Sequence, residues 1–276
     1  LANTLNIIGC GRVGRTLGRL WSDARALTVA DVLNRSPGSA ADAVGFIGAG
    51  HAVETLAQMR PADTWLIGTG DGEIRGACER LAASASLRRG DVVFHCSGAL
   101  SSVELAAATK CGALVASAHP VASFADPGEM LQRFAGSYCC VEGDAAATER
   151  LGASFRAIGA RVIAIDGASK LLYHAGAVFA SNYLVALMET AVRCYAESGI
   201  QRATALALMQ PLVTGSAANV FDLGTAAALT GPIARGDFDL VRAQYAALAA
   251  WDPAVAELYK SLGTAAAQLA GREPEF

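Results

Sequence analysis

Three groups of residues in this chain have the types and spacing for chemistry. The first is Asn6-Ile7-Ile8-Gly9-Cys10-Gly11-Arg12-Val13-Gly14, a G-x-G-x-x-G run that leaves an apolar stretch and enters a helical pattern. In such a run the first glycine permits a tight turn, the second lets a pyrophosphate approach the backbone, and the third lets the helix pack on its strand. The helix start adds N–H donors and a positive dipole, so Gly9, Cys10, Gly11, Arg12, Val13 and Gly14 are the expected cradle of a dinucleotide. The second group follows about twenty residues later, at the tip of the next strand, as Asn34-Arg35-Ser36. An Asp or Glu there would accept from a ribose 2′-hydroxyl, whereas a guanidinium and a hydroxyl suit a 2′-phosphate. NADP(H) is therefore expected over NAD(H), with Asp31, earlier in the strand, as the residue that argues the other way.

The third group sits on a helical pattern starting near Ser169, where Lys170, His174, Ser181 and Asn182 lie among alanines and large apolar residues. Polar groups in so apolar a helix need partners. At 100° per residue His174 lies about 40° and Ser181 about 20° from Lys170, while Asn182 lies about 120° round and about 18 Å along. Lys170 and His174 are thus the candidate catalytic pair: a lysine partly shielded in a cleft has its pKa lowered towards acid work, and a neighbouring histidine shares the proton. The competing reading is a lysine reaching for solvent at a helix end and a histidine satisfied in an interface between domains. Asn182 is a candidate substrate contact at another point.

Ligands in open parallel sheets bind beyond the carboxyl ends of the strands, which directs attention to three further ends. Thr69, in Gly68-Thr69-Gly70-Asp71-Gly72, and Ser97, in His95-Cys96-Ser97-Gly98-Ala99, are expected beside the cofactor, with Asp71 capping the helix near Glu73. His119, before Pro120, is a candidate substrate residue or a turn-stabilising one. Arg235, in Thr230-Gly231-Pro232-Ile233-Ala234-Arg235-Gly236-Asp237, is expected to bind a substrate carboxylate or to pair with Asp237 or Asp239.

The elements that must position these residues fall into two sets. Up to residue 165, short β-branched runs alternate with helical patterns: 4–8, 27–33, 64–67, 91–95, 113–118, 137–141 and 161–165. Strands alternating with crossovers predict a mainly parallel sheet covered on both faces. After Asp166-Gly167 the strand signal vanishes and helices are expected at 169–198, 201–213, 216–223, 237–250 and 253–270. The fold class is thus α/β, a Rossmann-like mainly parallel sheet over 1–166 followed by an all-α domain over 167–276.

Composition agrees with a folded, packed chain. Of 276 residues 53% are hydrophobic and 17% charged, with 59 alanines and 29 glycines, which excludes disorder as the main state. A net charge of −3 with no long basic run argues against nucleic-acid binding. Seven cysteines, without a C-x-x-C pair or metal-ligand spacing, are expected to be reduced thiols of a cytoplasmic protein with no metal. The chain enters its first strand at once, so no export signal is expected. The most apolar stretch, Ala175 to Met188, is 14 residues long and is expected to be a buried helix, not a membrane span.

The chain resembles a Rossmann-like, domain-of-unknown-function family of candidate NADP oxidoreductases. It is similar, more distantly, to pyrroline-5-carboxylate reductase, deazaflavin-dependent NADP oxidoreductase and the 3-hydroxyacid and 6-phosphogluconate dehydrogenases. The resemblance rests on the glycine run, on His95-Cys96-Ser97-Gly98-Ala99-Leu100, on His119-Pro120 with Ser123-Phe124, on Tyr173-His174-Ala175 through Ala180-Ser181-Asn182-Tyr183, and on Leu229 to Asp237. It implies an N-terminal dinucleotide domain, a helical dimerisation domain like that of 6-phosphogluconate dehydrogenase, and a substrate site between them. The 3-hydroxyacid dehydrogenases carry Lys-x-x-x-Asn where this chain has Lys170-Leu171-Leu172-Tyr173-His174, so their substrate does not transfer. The expectation is an NADP(H)-dependent oxidoreductase, moving hydride to or from a small C=O or C=N carbon and assembled as a homodimer. The alternative is a non-catalytic NADP(H)-binding redox sensor or partner module.

Overall fold

The computed structural model of the protein describes residues 3–276. Its first compact unit extends to Asn182 and its second runs over Tyr183–Phe276. The composition shift at residue 166 thus precedes the structural division by sixteen residues, because the first turns of the following helix are bonded to the sheet, as described below.

In the first unit, strands β1 (Thr4–Ile8), β2 (Thr28–Leu33), β3 (His51–Val53), β4 (Thr64–Ile67), β5 (Val92–His95), β6 (Leu114–Val121), β7 (Tyr138–Gly143) and β8 (Arg161–Ala164) form one sheet in the order β3-β2-β1-β4-β5-β6-β7-β8. Six of the seven pairings are parallel; only β6 and β7 run antiparallel. The helices between strands include α1 (Arg12–Asp23), α2 (Pro37–Ile47), α3 (Ile74–Ala83), α4 (Ala106–Lys110), α5 (Pro127–Arg133) and α6 (Ala145–Ala157). Successive side chains of a strand face opposite ways, so a doubly covered strand is apolar throughout. Trp65 and Ile67 of β4 join one apolar layer with Ile74, Leu81 and Val93, while Leu66 joins the opposite layer with Leu5, Ile7, Phe94 and Phe155. In that second layer Trp21 meets Phe155 edge-on at 5.2 Å and donates to the Ser154 carbonyl at 3.1 Å, which satisfies its indole N–H.

The expected strands all form, with bounds shifted by at most a few residues. The three-residue edge strand β3 carried no alternation long enough to be read.

A helical run then begins with α7 (Lys170–Val178), passes through a π-helical turn at Phe179–Tyr183 and continues as α8 (Leu184–Glu197). The π turn spoils the ideal 100° phase used to place Ser181 and Asn182. The run Gly167–Glu197 is 31 residues long and contains an 18-residue window with a mean hydropathy of 1.4, enough to cross a bilayer by length and composition. Its first turns are nevertheless held in the sheet domain by hydrogen bonds. The expectation that 175–188 is buried fails: Phe179, Leu184 and Val185 are exposed, as are Leu171 and Leu172 before them. An apolar stripe predicts a buried face only where something covers it.

The second unit continues with α9 (Arg202–Leu223), α10 (Thr225–Ala228), α11 (Pro232–Arg235), α12 (Phe238–Trp251) and α13 (Pro253–Leu269). The two helices expected at 201–213 and 216–223 are one, α9, which carries Pro211 in its interior. Buried apolar side chains here are few: Val192, Ala205 and Met209 form the main cluster.

Candidate functional site

At the end of β1 the chain turns through Gly9, whose φ of +84° is a left-handed conformation that glycine adopts without strain. A Cβ on Gly9 would lie 2.7 Å from the backbone N of Thr69, so strand ends β1 and β4 touch backbone to backbone. Gly11 is the N-cap of α1, no side chain caps that helix, and a Cβ there would meet open space. Gly14, by contrast, lies against Cys10 Sγ and Ile7. The three glycines thus occupy a turn, an open helix start and a close helix–strand contact.

A cavity of about 910 Å³ opens from this turn, bounded by Gly9, Gly11, Arg35, Thr55, Thr69 and Arg80 among others. The Thr69 hydroxyl is buried without a hydrogen-bond partner. Such an orphan is costly unless a ligand or water completes it. The residues fit the dinucleotide implied by the motif: a Cβ-free turn, an uncapped helix start and an orphaned hydroxyl all line one space.

The tip of β2 is organised differently from the expectation. Asn34 does not face outward; its Oδ1 accepts from Cys10 N at 2.6 Å, and its Nδ2 donates to the carbonyl and hydroxyl of Ser39 at 2.9 and 3.0 Å. It clasps the glycine turn to the start of α2. Ser36 is the N-cap of α2, with Oγ accepting from Ser39 N at 3.3 Å. Arg35 and Ser36 are both exposed at the cavity rim, and the Arg35 side chain has no ion pair or hydrogen bond among the described residues. Asp31 is withdrawn: it is 1% exposed and accepts from the Arg60 backbone and guanidinium. Arg60 also holds the Asp31 carboxyl below the usual range against the opposing effect of burial. Cys10 lines the cavity, but burial pushes its thiol up to about 12. Arg12 is exposed and Val13 packs on the core; neither side chain lines the cavity.

Ser97 is not free for a cofactor. Its hydroxyl donates to Asp71 at 2.9 Å and accepts from Ala99 N and Leu100 N, closing the turn after β5. Asp71 accordingly does not cap a helix: the turn it begins has Gly70 as N-cap with no side-chain bond, because the carboxylate is spent on Ser97.

Lys170 departs most from expectation. It is 1% exposed, not in an open cleft, and its ammonium donates to the Ser97 carbonyl at 2.8 Å and to the Ser117 hydroxyl. Burial lowers its pKa, while Glu142 nearby opposes that shift. Glu142 is itself buried and accepts from Ser102 N and Oγ at 2.7 and 2.8 Å. The lysine therefore ties α7 to the turn after β5 and to the middle of β6.

Three and four positions on, one turn along the same helix face, Tyr173 and His174 meet His119 at the end of β6. The Tyr173 hydroxyl lies 2.7 Å from His119 Nδ1, and the His119 ring stands edge-on to Tyr173 at 5.7 Å and to His174 at 5.9 Å. Burial, then Lys170, then His174 push the His119 pKa down to about 4, so this imidazole is neutral at pH 7. His174 Nδ1 is buried with no partner. A Cβ on Gly98 would come within 2.5 Å of that atom and 2.9 Å of His119 Nε2, so both nitrogens converge above Gly98. Tyr173 went unassigned at the sequence level, although its i, i+3 spacing with Lys170 placed it on the lysine's face, as the i, i+4 spacing did His174.

Asn182, in the π turn, is exposed and makes no hydrogen bond among the described residues. Arg235 ends α11 in the second unit, exposed and unpaired; Asp239 pairs with Arg242. Asn182 does not join the cluster of Lys170, Tyr173, His174 and His119.

Residues 3–120 match the Rossmann-like domain model, and residues 137–266 match a domain of unknown function, DUF2520. No curated protein matches the chain. Among solved structures, TM1727 from Thermotoga maritima is 26% identical with a TM-score of 0.74, covering 97% of this chain and 98% of that one. BF3122 from Bacteroides fragilis, described as a candidate NADP oxidoreductase, is 19% identical with a TM-score of 0.76 over 96% and 98%. An imine reductase from Myxococcus stipitatus (V8 variant), in complex with NAD+, is 20% identical with a TM-score of 0.65 over 99% and 96%. Pyrroline-5-carboxylate reductases share the fold as well.

Proposed function

We propose that this chain, a Rossmann-like domain followed by DUF2520, is an oxidoreductase that binds a nicotinamide dinucleotide, NADP(H) in preference to NAD(H), and acts on a small C=O or C=N substrate. The observation that carries the reading is the glycine turn at Gly9, opening on a cavity of about 910 Å³ whose wall holds the orphaned Thr69 hydroxyl. When bound, the dinucleotide supplies the hydride acceptor or donor. The uncapped first turn of α1 takes the pyrophosphate, and Asn34 keeps the turn in shape by holding Cys10 N. Arg35, unpaired at the rim, takes the 2′-phosphate; Asp31, committed to Arg60, is unavailable to a ribose hydroxyl. The similar structures described as an NADP oxidoreductase and an imine reductase agree in cofactor class.

Strands β1, β4, β5 and β6 are neighbours, so the Gly98 end of β5 and the His119 end of β6 continue the row of strand ends that starts at Gly9. In this reading His174 and His119 handle the substrate proton, while Lys170 positions them by pinning α7 to Ser97 and Ser117. The exposed apolar residues Leu171, Leu172, Val185 and Phe221 support a homodimer formed through the helices. Seven free thiols suit a reducing compartment, and the cytoplasm is the proposed location.

The test is a fluorescence titration of the purified protein with NADPH and with NADH. Saturable binding with NADPH at least tenfold tighter is expected; failure of both to bind overturns the proposal.

A further inference from the structure

The two imidazoles above Gly98 differ in what holds them. His119 Nδ1 faces the Tyr173 hydroxyl at 2.7 Å. A phenol is a far better acid than a neutral imidazole N–H, and an imidazole nitrogen a far better base than a phenol oxygen. The proton of this bond therefore sits on the oxygen, Nδ1 accepts, and His119 carries its own proton on Nε2, the atom directed at Gly98. Burial holds the Tyr173 phenol protonated, well above its ordinary range, so it remains a donor. His174 has no such partner at Nδ1, which is buried and unsatisfied. A bare lone pair is a cheaper orphan than an N–H, so His174 places its proton on Nε2 and leaves Nδ1 as an acceptor. One donor and one acceptor thus lie side by side against Gly98.

We propose that these two nitrogens together hold a single substrate oxygen, and that the substrate pair is an alcohol and its carbonyl, not an amine and its iminium. The inference rests on the oxidoreductase reading and narrows its substrate class. A hydroxyl oxygen accepts from His119 Nε2–H while its own hydrogen is donated to His174 Nδ1, so both imidazoles are satisfied at once. A protonated iminium has an N–H and no lone pair; it would oppose the His119 N–H and place a second cation near the Lys170 ammonium. The carboxylates that would balance such a cation are turned elsewhere, Asp71 to the Ser97 hydroxyl and Glu142 to Ser102. Among the described residues no carboxylate bonds either imidazole.

The chemistry balances. In the oxidising direction the carbinol C–H bond breaks and its electron pair leaves as hydride to the oxidised nicotinamide dinucleotide. The O–H proton passes to His174 Nδ1, and the carbon–oxygen double bond forms. In the reverse direction the His174 imidazolium returns that proton to the alkoxide oxygen, which His119 Nε2–H steadies meanwhile.

Long-range proton–nitrogen correlation NMR on protein labelled with ¹⁵N-histidine, at pH 7.5 with and without NADP+, reads the tautomers directly. His119 and His174 are both expected as Nε2–H forms, and Tyr173→Phe is expected to release His119 into a mixture while leaving NADPH affinity unchanged. Alongside, NADPH oxidation is followed with a panel of small ketones, keto acids and aldehydes and, at equal concentration, cyclic imines. Carbonyls are expected to turn over at least tenfold faster, and His174→Gln to slow that turnover by about 100-fold or more with NADPH affinity intact. A His119 proton on Nδ1, or faster turnover of imines, overturns the inference. Loss of this result with NADPH still bound leaves the oxidoreductase reading standing, whereas absence of NADPH and NADH binding removes both.

Discussion

The sheet unit and the helical unit put their alanines and leucines to opposite ends. Around the sheet, Trp21, Trp65, Phe94, Phe134 and Phe155 are all fully buried, the inner strands being covered on two sides. In the helical unit, Val185 is 66% and Phe221 86% exposed, and Leu206, Leu208, Leu212 and Leu223 also face outward. A sheet closes its core within one chain because crossovers return to both faces; a set of long helices has only as much core as it has neighbours. The comparison teaches that apolar periodicity reports which face wants covering, not whether the same chain covers it. All four histidines and every hydrogen bond of the proposed site lie in the first unit, so that unit carries both the rigidity and the chemistry.

Substitutions can break this contrast or sharpen it. The largest effect is expected from Phe155→Ala, which empties space beside Trp21 and should lower unfolding free energy by about 3–5 kcal/mol in urea titration. A loss under about 1 kcal/mol would mean that the sheet core is looser than its burial indicates. Acidification comes next. His95 is fully buried, accepts from Ser97 N at Nδ1 and faces the Ser101 carbonyl through Nε2, and burial lowers its pKa from 6.5 to about 4. Between those values the unfolded chain binds the proton and the folded chain does not, so stability is complete above pH 6.5 and declines as pH falls towards 4. His95 alone contributes on the order of 3 kcal/mol to that decline, with a smaller share from half-buried His119. Denaturant midpoints at pH 7.5, 5.5 and 4.5 should show it in the wild type, and His95→Gln should flatten it.

Arg35→Ala should weaken NADPH binding by about 10- to 100-fold, the loss of charge-assisted bonds to a phosphate, and leave NADH within about twofold. Equal losses for both would place Arg35 elsewhere on the dinucleotide. The smallest effect on the single chain is expected at the exposed helices. Phe221→Ser should change unfolding free energy by no more than about 0.5 kcal/mol and yet shift a concentration-dependent dimer towards monomer in sedimentation velocity. A dimer unaffected by it would exclude this residue from the contact.

Much of the sheet was legible because doubly buried strands leave continuous apolar runs: β1 and β4 lie where Thr4–Ile8 and Thr64–Ile67 place them. The glycine turn was legible for the same kind of local reason, since φ and close approach select glycine residue by residue. Partnership was not. Nothing local says that Asn34 bonds Cys10, that Asp71 is held by Ser97, or that Lys170 turns inward to Ser117, because each partner is separated by tens of residues in the chain. Polar side chains at strand ends announce that they will be satisfied without announcing by what. Tyr173 was within reach, one position before His174, had the helix face been read as a whole.

The Asn34 clasp bears on any attempt to change which dinucleotide is preferred. The familiar exchange at a β2 tip installs an acid, and here Asn34→Asp would keep the acceptor for Cys10 N. It would also set a carboxylate against the Ser39 carbonyl and strip out both donor bonds. The residue that invites redesign is therefore a hinge pin of the phosphate turn, and a swap made there would loosen grip on either dinucleotide. Cofactor engineering in this scaffold has its free position at Arg35, next along the chain, where a side chain can be exchanged without unfastening the loop.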